Sequence, residues 1–179
     1  MLVLNCQKEH LLKPLQAIVG VVERKHTLPI LSNILVESSN GKTALIATDL
    51  ELQITTWMED KAEQDVSFTV SARKLLDITR SLPDETSLSL DINNDLMRIQ
   101  AGKSRFNLQT LPARDFPKLQ TSEDEGTRFK IGAGKLRNLL ARAQYAMPVQ
   151  DIRYYLNGML FQLQADKLVV AATDGHRLA

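Results

Sequence analysis

Apolar and polar positions along the chain follow two periods, and the switch between them recurs. Leu2–Cys6 reads as a short strand. From Lys8 to Arg24, Leu11, Leu12, Leu15, Ile18, Val19 and Val22 fall at helical spacing. Pro14 lies inside that run and predicts a kink or an irregular first turn, because it lacks an N–H and crowds the preceding turn. Three strands are predicted next, Ile30–Glu37, Ala44–Thr48 and Leu52–Met58, with Asn40-Gly41 as a hairpin turn. The order then repeats. Ser67–Val70 is a strand, and Ala72–Leu82 a helix with Ala72, Leu75, Leu76 and Thr79 on one side. Ser87–Ile92, Leu96–Ala101 and Ser104–Thr110 alternate as strands do. A third pass opens with a strand at Arg128–Ile131 and a helix at Gly134–Tyr145, apolar at Leu136, Leu139, Leu140 and Ala143. Two strand-like runs follow, Gly158–Gln164 and Lys167–Ala172.

The repeated unit is therefore strand, helix, three strands. FTVSARKLLDI (Phe68–Ile78) matches FKIGAGKLRNL (Phe129–Leu139) without a gap. SNILVESSNGKTALIATDLE (Ser32–Glu51) lines up with LNGMLFQLQADKLVVAATDGH (Leu156–His176), Asn33 on Asn157 and, after a one-residue slip, Thr48-Asp49 on Thr173-Asp174. Pro112 to Gly126, with the acidic run Glu123-Asp124-Glu125, has linker composition. This predicts an α+β protein with helices packed on antiparallel sheets. One domain spans 1–120 (two repeats), a linker 121–127, and an incomplete second domain 128–179.

Composition limits the alternatives. The chain is 44% apolar but only 5% aromatic, so its core is aliphatic, and a single cysteine, Cys6, forms no internal disulfide. No apolar run approaches membrane-spanning length and no leader is visible, which predicts a cytoplasmic protein without membrane contact. A net charge of +1 hides a division. The helical segments 8–25, 72–81 and 134–145 carry ten Lys and Arg against three acids, a surplus of seven, while the remainder is negative by six. Basic helix faces with few aromatics suit phosphate contact without base reading. They are also what ordinary solvated helices present.

Thr173-Asp174-Gly175-His176-Arg177 invites a catalytic reading, for instance a hydrolase using Asp174 and His176, yet no nucleophile or metal partner stands at a defined spacing. Thr-Asp belongs to the repeat, whereas Gly-His-Arg is particular to this copy and so a candidate site. Gly132-Ala133-Gly134-Lys135 fails as a phosphate loop, since Phe129 and Leu136 occupy its required glycine and Ser/Thr positions. No cofactor or metal motif is present. In Tyr154-Tyr155, adjacent residues of an extended segment point to opposite faces, leaving one ring to touch a nucleic-acid backbone or unpaired base, or both to pack.

The order of EHLLKPLQ, TLPILSN, ATDLE, ARKLLDI, SRFNLQTLPARDFP, QDIRYYLNGMLF and ATDGHRLA, from Glu9 to Ala179, resembles the bacterial DNA polymerase III β subunit family, the sliding clamps. The resemblance implies a clamp fold of strand–helix–three-strand repeats, helices lining the hole of a homodimeric ring around duplex DNA. It implies no chemistry and no cofactor, but a tether for polymerase, clamp loader and repair proteins through short linear motifs. By the same resemblance, DNA contacts fall on Arg24, Lys25, Arg73, Gln150, Tyr154 and Tyr155. The partner-peptide pocket falls on Leu156, Thr173, Gly175, His176, Arg177 and Leu178. The family's chain has three domains, so this chain is expected to be an amino-terminal fragment unable to form the ring alone. The alternative is a truncated clamp-like module competing for clamp partners.

Overall fold

The computed structural model describes residues 2–22, 28–119 and 128–179, in two compact units, Met1–Thr121 and Ser122–Ala179. Arg24, Lys25 and the linker placed at 121–127 lie outside the described residues.

In the first unit β1 (Leu2–Gln7) leads into α1 (Lys8–Ile18), and a 3₁₀ turn at Pro29–Ser32 precedes β2 (Asn33–Ser39), β3 (Lys42–Thr48) and β4 (Gln53–Trp57). The second pass is β5 (Val66–Ser71), α2 (Ala72–Ser81), β6 (Ser87–Asn93), β7 (Leu96–Ala101) and β8 (Ser104–Pro112). Asn40 and Gly41 both take positive φ, 53° and 74°, the twist a two-residue hairpin needs. α1 runs through Pro14 and ends at Ile18, earlier than the apolar period predicts. Leu11, Leu15 and Ile18 are buried along the same helix, and their burial, roughly 1.5–3 kcal/mol each, outweighs the missing hydrogen bond.

The eight strands form one antiparallel sheet in the order β1-β6-β7-β8-β5-β2-β3-β4. The two repeats exchange their first strands. β1 pairs with β6, placing Cys6 opposite Leu88, and β5 pairs with β2, placing Val70 opposite Ile34. The helices cover one face. α2 buries Ala72, Leu75, Leu76 and Thr79, the face its spacing predicts, and the Thr79 hydroxyl donates to Leu75 O at 2.7 Å.

α1 and α2 pack against each other and run antiparallel, each tied to the other's end by a base. Lys8 Nζ, at the start of α1, donates to Leu82 O at 2.7 Å, just past α2, and to Asp84 Oδ1 at 2.8 Å. Arg73 Nη2, at the start of α2, donates to Val22 O at 3.1 Å, just past α1. Carbonyls at helix ends lack internal donors, and a cation there also meets the negative end of the helix dipole.

β2 and β3 are buried on both faces. Ile34, Val36, Leu45 and Ala47 join the helix-side core, while Leu35, Ala44 and Ile46 form a separate cluster with Phe116 on the opposite side. Residues 113–119, which linker composition assigned to a connector, thus lie on the sheet. Pro112 itself closes β8.

The second unit holds α3 (Ala133–Ala143), 3₁₀ turns at Gln144–Ala146 and Tyr154–Leu156, and the antiparallel pair β9 (Leu160–Leu163) and β10 (Leu168–Ala171). Arg128–Ile131 is not a strand, because no described strand lies beside it to complete a ladder. Ala143, Ala146 and Ala172 form the small core, with Met147, Met159 and Val170 against it. Among the described residues no helix is long and apolar enough to cross a membrane.

Candidate functional site

The loop after β10 is closed by its own polar groups. Thr173 Oγ1 donates to Arg177 O at 2.7 Å and accepts from Gly175 N at 3.0 Å. Asp174 Oδ1 accepts from His176 N at 2.9 Å and Arg177 N at 3.0 Å, and Arg177 Nε donates to Asp174 Oδ2 at 2.9 Å. The two backbone N–H bonds, with the Arg177 charge, hold the Asp174 carboxyl below its ordinary range. Ala172 and Ala179 exchange a pair of 3.1 Å backbone bonds across the base of the loop. Gly175 takes φ 87°, which favours glycine. Asp174 therefore serves the turn rather than His176, and the acid–base pair of the hydrolase reading is not assembled. Among the described residues no cluster of His, Cys, Asp and Glu has the geometry to hold a metal ion.

The first unit repeats the four threonine and aspartate bonds of this turn. Thr48 Oγ1 donates to Leu52 O at 2.7 Å and accepts from Leu50 N at 3.1 Å, while Asp49 Oδ1 accepts from Glu51 N at 2.9 Å and Leu52 N at 2.7 Å. Leu50, in the place of Gly175, takes φ 79°. Thr-Asp is thus scaffold, and what differs between the copies is what the scaffold presents.

A second network fastens the preceding segment to this loop. Asp151 N donates to Asn157 Oδ1 at 2.8 Å, and Asn157 Nδ2 donates back to Asp151 O at 3.0 Å. Arg153 grips the Asp151 carboxylate with Nε at 3.0 Å and Nη2 at 2.8 Å, and Nη2 also donates to Asp174 O at 3.0 Å. The side-chain bonds from Arg153, with the one its backbone N donates to Asp151 Oδ1 at 2.8 Å, pull the Asp151 carboxyl down to about 2. The Arg153 guanidinium lies so close to Gly175 that a Cβ there would meet Nη1 at 3.0 Å. Arg153 was not among the expected site residues. Its signal in the sequence is the Asp-x-Arg spacing, which by itself is common.

The 3₁₀ turn fixed in this way presents Tyr154, Tyr155 and Leu156. The two rings meet edge to face, centroids 5.9 Å apart, and both are exposed, so the expectation of opposite strand faces fails because the segment is not extended. Tyr155 and Leu156 form one wall of a shallow cavity of about 210 Å³, whose other walls are Gly158, Leu160, Ala171, Ala172, Thr173 and Leu178. Of the expected pocket residues Leu156, Thr173 and Leu178 line it. Gly175, His176 and Arg177 stand outside its walls, Arg177 over the Tyr145 ring with its guanidinium carbon 5.7 Å from the centroid. Leu160 and Ala171, which read as ordinary strand residues, complete the wall, and Tyr155, expected to touch DNA, belongs to the cleft as well. Gln150 is exposed with φ 58°.

The basic helix faces are narrower than the sequence implies. Lys8 is buried and bonded, so it leaves that surface. Arg73 is exposed but has one nitrogen on Val22 O. Beside it on α2, Lys74 and Arg80 are exposed around Asp77, and α3 carries exposed Lys135, Arg137 and Arg142 with no acid in the helix.

Comparison with known proteins bears on both units. A family model described as "DNA polymerase III beta subunit, N-terminal domain" matches residues 2–120, and one described as "DNA polymerase III beta subunit, central domain" matches 130–179. The beta sliding clamp of Pseudomonas aeruginosa is 47% identical over 176 residues, covering 97% of this chain and 47% of the relative. That of Escherichia coli K12 is 41% identical over 174 residues with the same coverage. The crystal structure of the DNA polymerase III subunit beta from Pseudomonas aeruginosa matches with a TM-score of 0.91 at 44% identity, covering 98% of this chain and 48% of that one. Pol III beta from Caulobacter crescentus matches with a TM-score of 0.89 at 36% identity, over 99% and 49%. The chain spans about half the length of the curated relatives it matches.

Proposed function

Because the chain belongs to the DNA polymerase III beta subunit family, we propose that it forms the amino-terminal part of a DNA sliding clamp. That protein is the processivity factor of the bacterial replicative polymerase and works in the cytoplasm. The first unit is its first domain, and the second unit opens its second. The helix faces bearing Arg73, Lys74, Arg80, Lys135, Arg137 and Arg142, with Arg24, Lys25, Gln150 and Tyr154, lie against duplex phosphates. Many exposed cations without a fixed base contact give affinity that is indifferent to sequence and falls steeply with salt, as sliding requires. The protein does no chemistry. Its work is to stay on DNA as a homodimeric ring while holding polymerase, clamp loader and repair proteins.

The observation that carries this reading is the cleft walled by Tyr155, Leu156, Leu160 and Leu178, beside which the Thr173 hydroxyl and the Asp174 carboxylate are spent on holding the loop's shape. An apolar slot with a rigid polar frame suits the side chains of a short linear motif, not a substrate to be turned over. Gly175, His176 and Arg177 act at its rim. The test is retention on DNA. The full-length protein should stay on nicked circular duplex and run off the linearised molecule, and equal retention on both would refute a ring. In parallel, Leu178→Ala should weaken an aliphatic–aromatic peptide at least tenfold by removing an apolar wall.

A further inference from the structure

The first unit contains a second copy of the cleft, and the chain's own residues fill it. Leu35 faces Ile46 across β2–β3 as Leu160 faces Ala171 across β9–β10. One constant offset in residue number relates these pairs and also carries Thr48 to Thr173 and Gln53 to Leu178. The one-residue slip that the aligned sequences require falls between Asn33 and Leu35, ahead of these pairs. Where the second unit has its cavity, the first has Phe116, 6% exposed, against Leu35, Ala44 and Ile46, with Ile30 beside it.

The segment that brings Phe116 is held as a peptide ligand would be. Lys118 Nζ pairs with Glu37 Oε2 at 2.7 Å, and Leu119 N donates to Gln53 Oε1 at 2.9 Å, so the residue in the place of Leu178 is the one that takes the backbone bond. An aromatic anchor in an apolar slot, a backbone N–H taken by a groove side chain and a flanking ion pair together make a linear-motif contact. The Phe116 cluster is also separate from the helix-side core, so releasing it leaves that core in place.

We propose that residues 113–119 are a tethered pseudo-ligand. They keep the first unit's copy of the cleft closed, and a peptide of the same chemistry, one aromatic anchor between an acid and a base, docks there once the segment is displaced. The comparison with the second unit rests on the peptide-cleft reading above, whereas the contacts of Phe116 do not. Tethering gives the segment an effective concentration in the millimolar range, which an untethered rival cannot match.

The test titrates a synthetic heptapeptide with the sequence of residues 113–119 into the full chain and follows methyl resonances. In wild type the Leu35, Ala44 and Ile46 methyls should not move. In Phe116→Ala they should shift saturably, and a peptide with Ala in place of its Phe should bind roughly tenfold or more weakly. No shift at these methyls in a folded F116A protein at millimolar peptide overturns the proposal. Should F116A fail to fold, Lys118→Glu sets two acids face to face while keeping Phe116. The peptide should then compete for the cleft, and its failure to do so likewise overturns the idea. Leu156, Leu160 and Leu178 methyls, read with an aliphatic–aromatic peptide in the same samples, report the second unit's cleft separately, so either reading can fail alone.

Discussion

Lys8→Met tests whether a buried base holds the two helices of the first unit together. Lys8 is 6% exposed, and its ammonium bonds one helix-end carbonyl and one carboxylate. Methionine fills nearly the same volume, so the loss is polar. A charge-assisted bond to a buried carbonyl contributes about 1.5–3 kcal/mol, and Leu82 O keeps no replacement donor. We expect a loss of about 2 kcal/mol in stability and, at about 4 °C per kcal/mol for a unit of this size, a fall in Tm of roughly 8 °C. Asp84, whose side chain is 86% exposed, should matter much less, so Asp84→Asn costs only a fraction of the Lys8 effect. The hydrogen bond from Lys8, and then its charge, hold the Asp84 carboxyl below its ordinary value of 3.8. With the folded value the lower one, the carboxylate's contribution is complete above 3.8 and disappears as pH falls through the folded value. The gap between wild type and K8M should therefore narrow in acid without closing, because the bond to Leu82 O involves no carboxylate. Fluorescence of Trp57, the only tryptophan in the sequence, reports this unit during urea or thermal melts. A K8M protein as stable as wild type, or no less stable than D84N, would refute the reasoning.

The other predictions address the loops. At φ 79° Leu50 sits where glycine is favoured, so Leu50→Gly should be more stable than Leu50→Ala by about 1 kcal/mol in a Trp57 melt, reversing the usual order of these residues. Gly175→Ala should cost about 1 kcal/mol in backbone strain and push the Arg153 guanidinium away, visible as loss of a slowly exchanging Arg153 Nε–H signal. The Asp151 carboxyl should titrate at about 2 by NMR, and in Arg153→Gln it should return toward the ordinary carboxylate range; an unchanged midpoint would break the link. The Asp151–Arg153 clasp, its carboxyl depressed in the fold, should thus persist above the ordinary carboxylate range and open only as pH falls through about 2. Tyr154→Ala should weaken duplex binding and spare peptide binding, whereas Tyr155→Ala should weaken peptide binding, because only Tyr155 lines the cleft.

Much of the fold was legible because each element's apolar period serves one face. Ala72, Leu75, Leu76 and Thr79 were readable as the buried side of α2 from spacing alone, since a helix on a sheet buries one stripe. What spacing does not carry is partnership. β1 alternates in the same way whether it pairs with β2 or β6, and the exchange of first strands depends on contacts distant in sequence. Lys8 misled for a related reason. At a helix start it counts as one more surface cation, and only the arrival of Leu82 O and Asp84, far along the chain, makes it internal. Around the cavity, Leu156, Thr173 and Leu178 were legible as neighbours through the resemblance, while Leu160 and Ala171 were hidden as strand residues whose outward face forms a wall.

The repeat explains how one loop backbone presents two different surfaces. Both copies close through a threonine hydroxyl and an aspartate that takes two backbone N–H groups, so the loop's shape is independent of the three residues it presents. In the first copy those residues are Leu50, Glu51 and Leu52, and the adjoining groove is filled by Phe116. In the second they are Gly175, His176 and Arg177, and the glycine matters beyond its φ, because a Cβ there would stand 3.0 Å from Arg153 Nη1 and crowd the guanidinium that bonds Asp174 O. That contact ties the residue at the start of the Tyr154–Leu156 turn to the loop, and the turn supplies a wall of the cleft. The divergence between the filled groove and the open one is therefore small: a side chain removed at 175, an arginine placed at 153, and no counterpart of Phe116 among the described residues that line the cavity. Restoring a Cβ at 175 should disturb the cleft through Arg153 rather than by blocking it, so Arg153→Gln should weaken a bound peptide much as Gly175→Ala does, although Arg153 does not line the cavity.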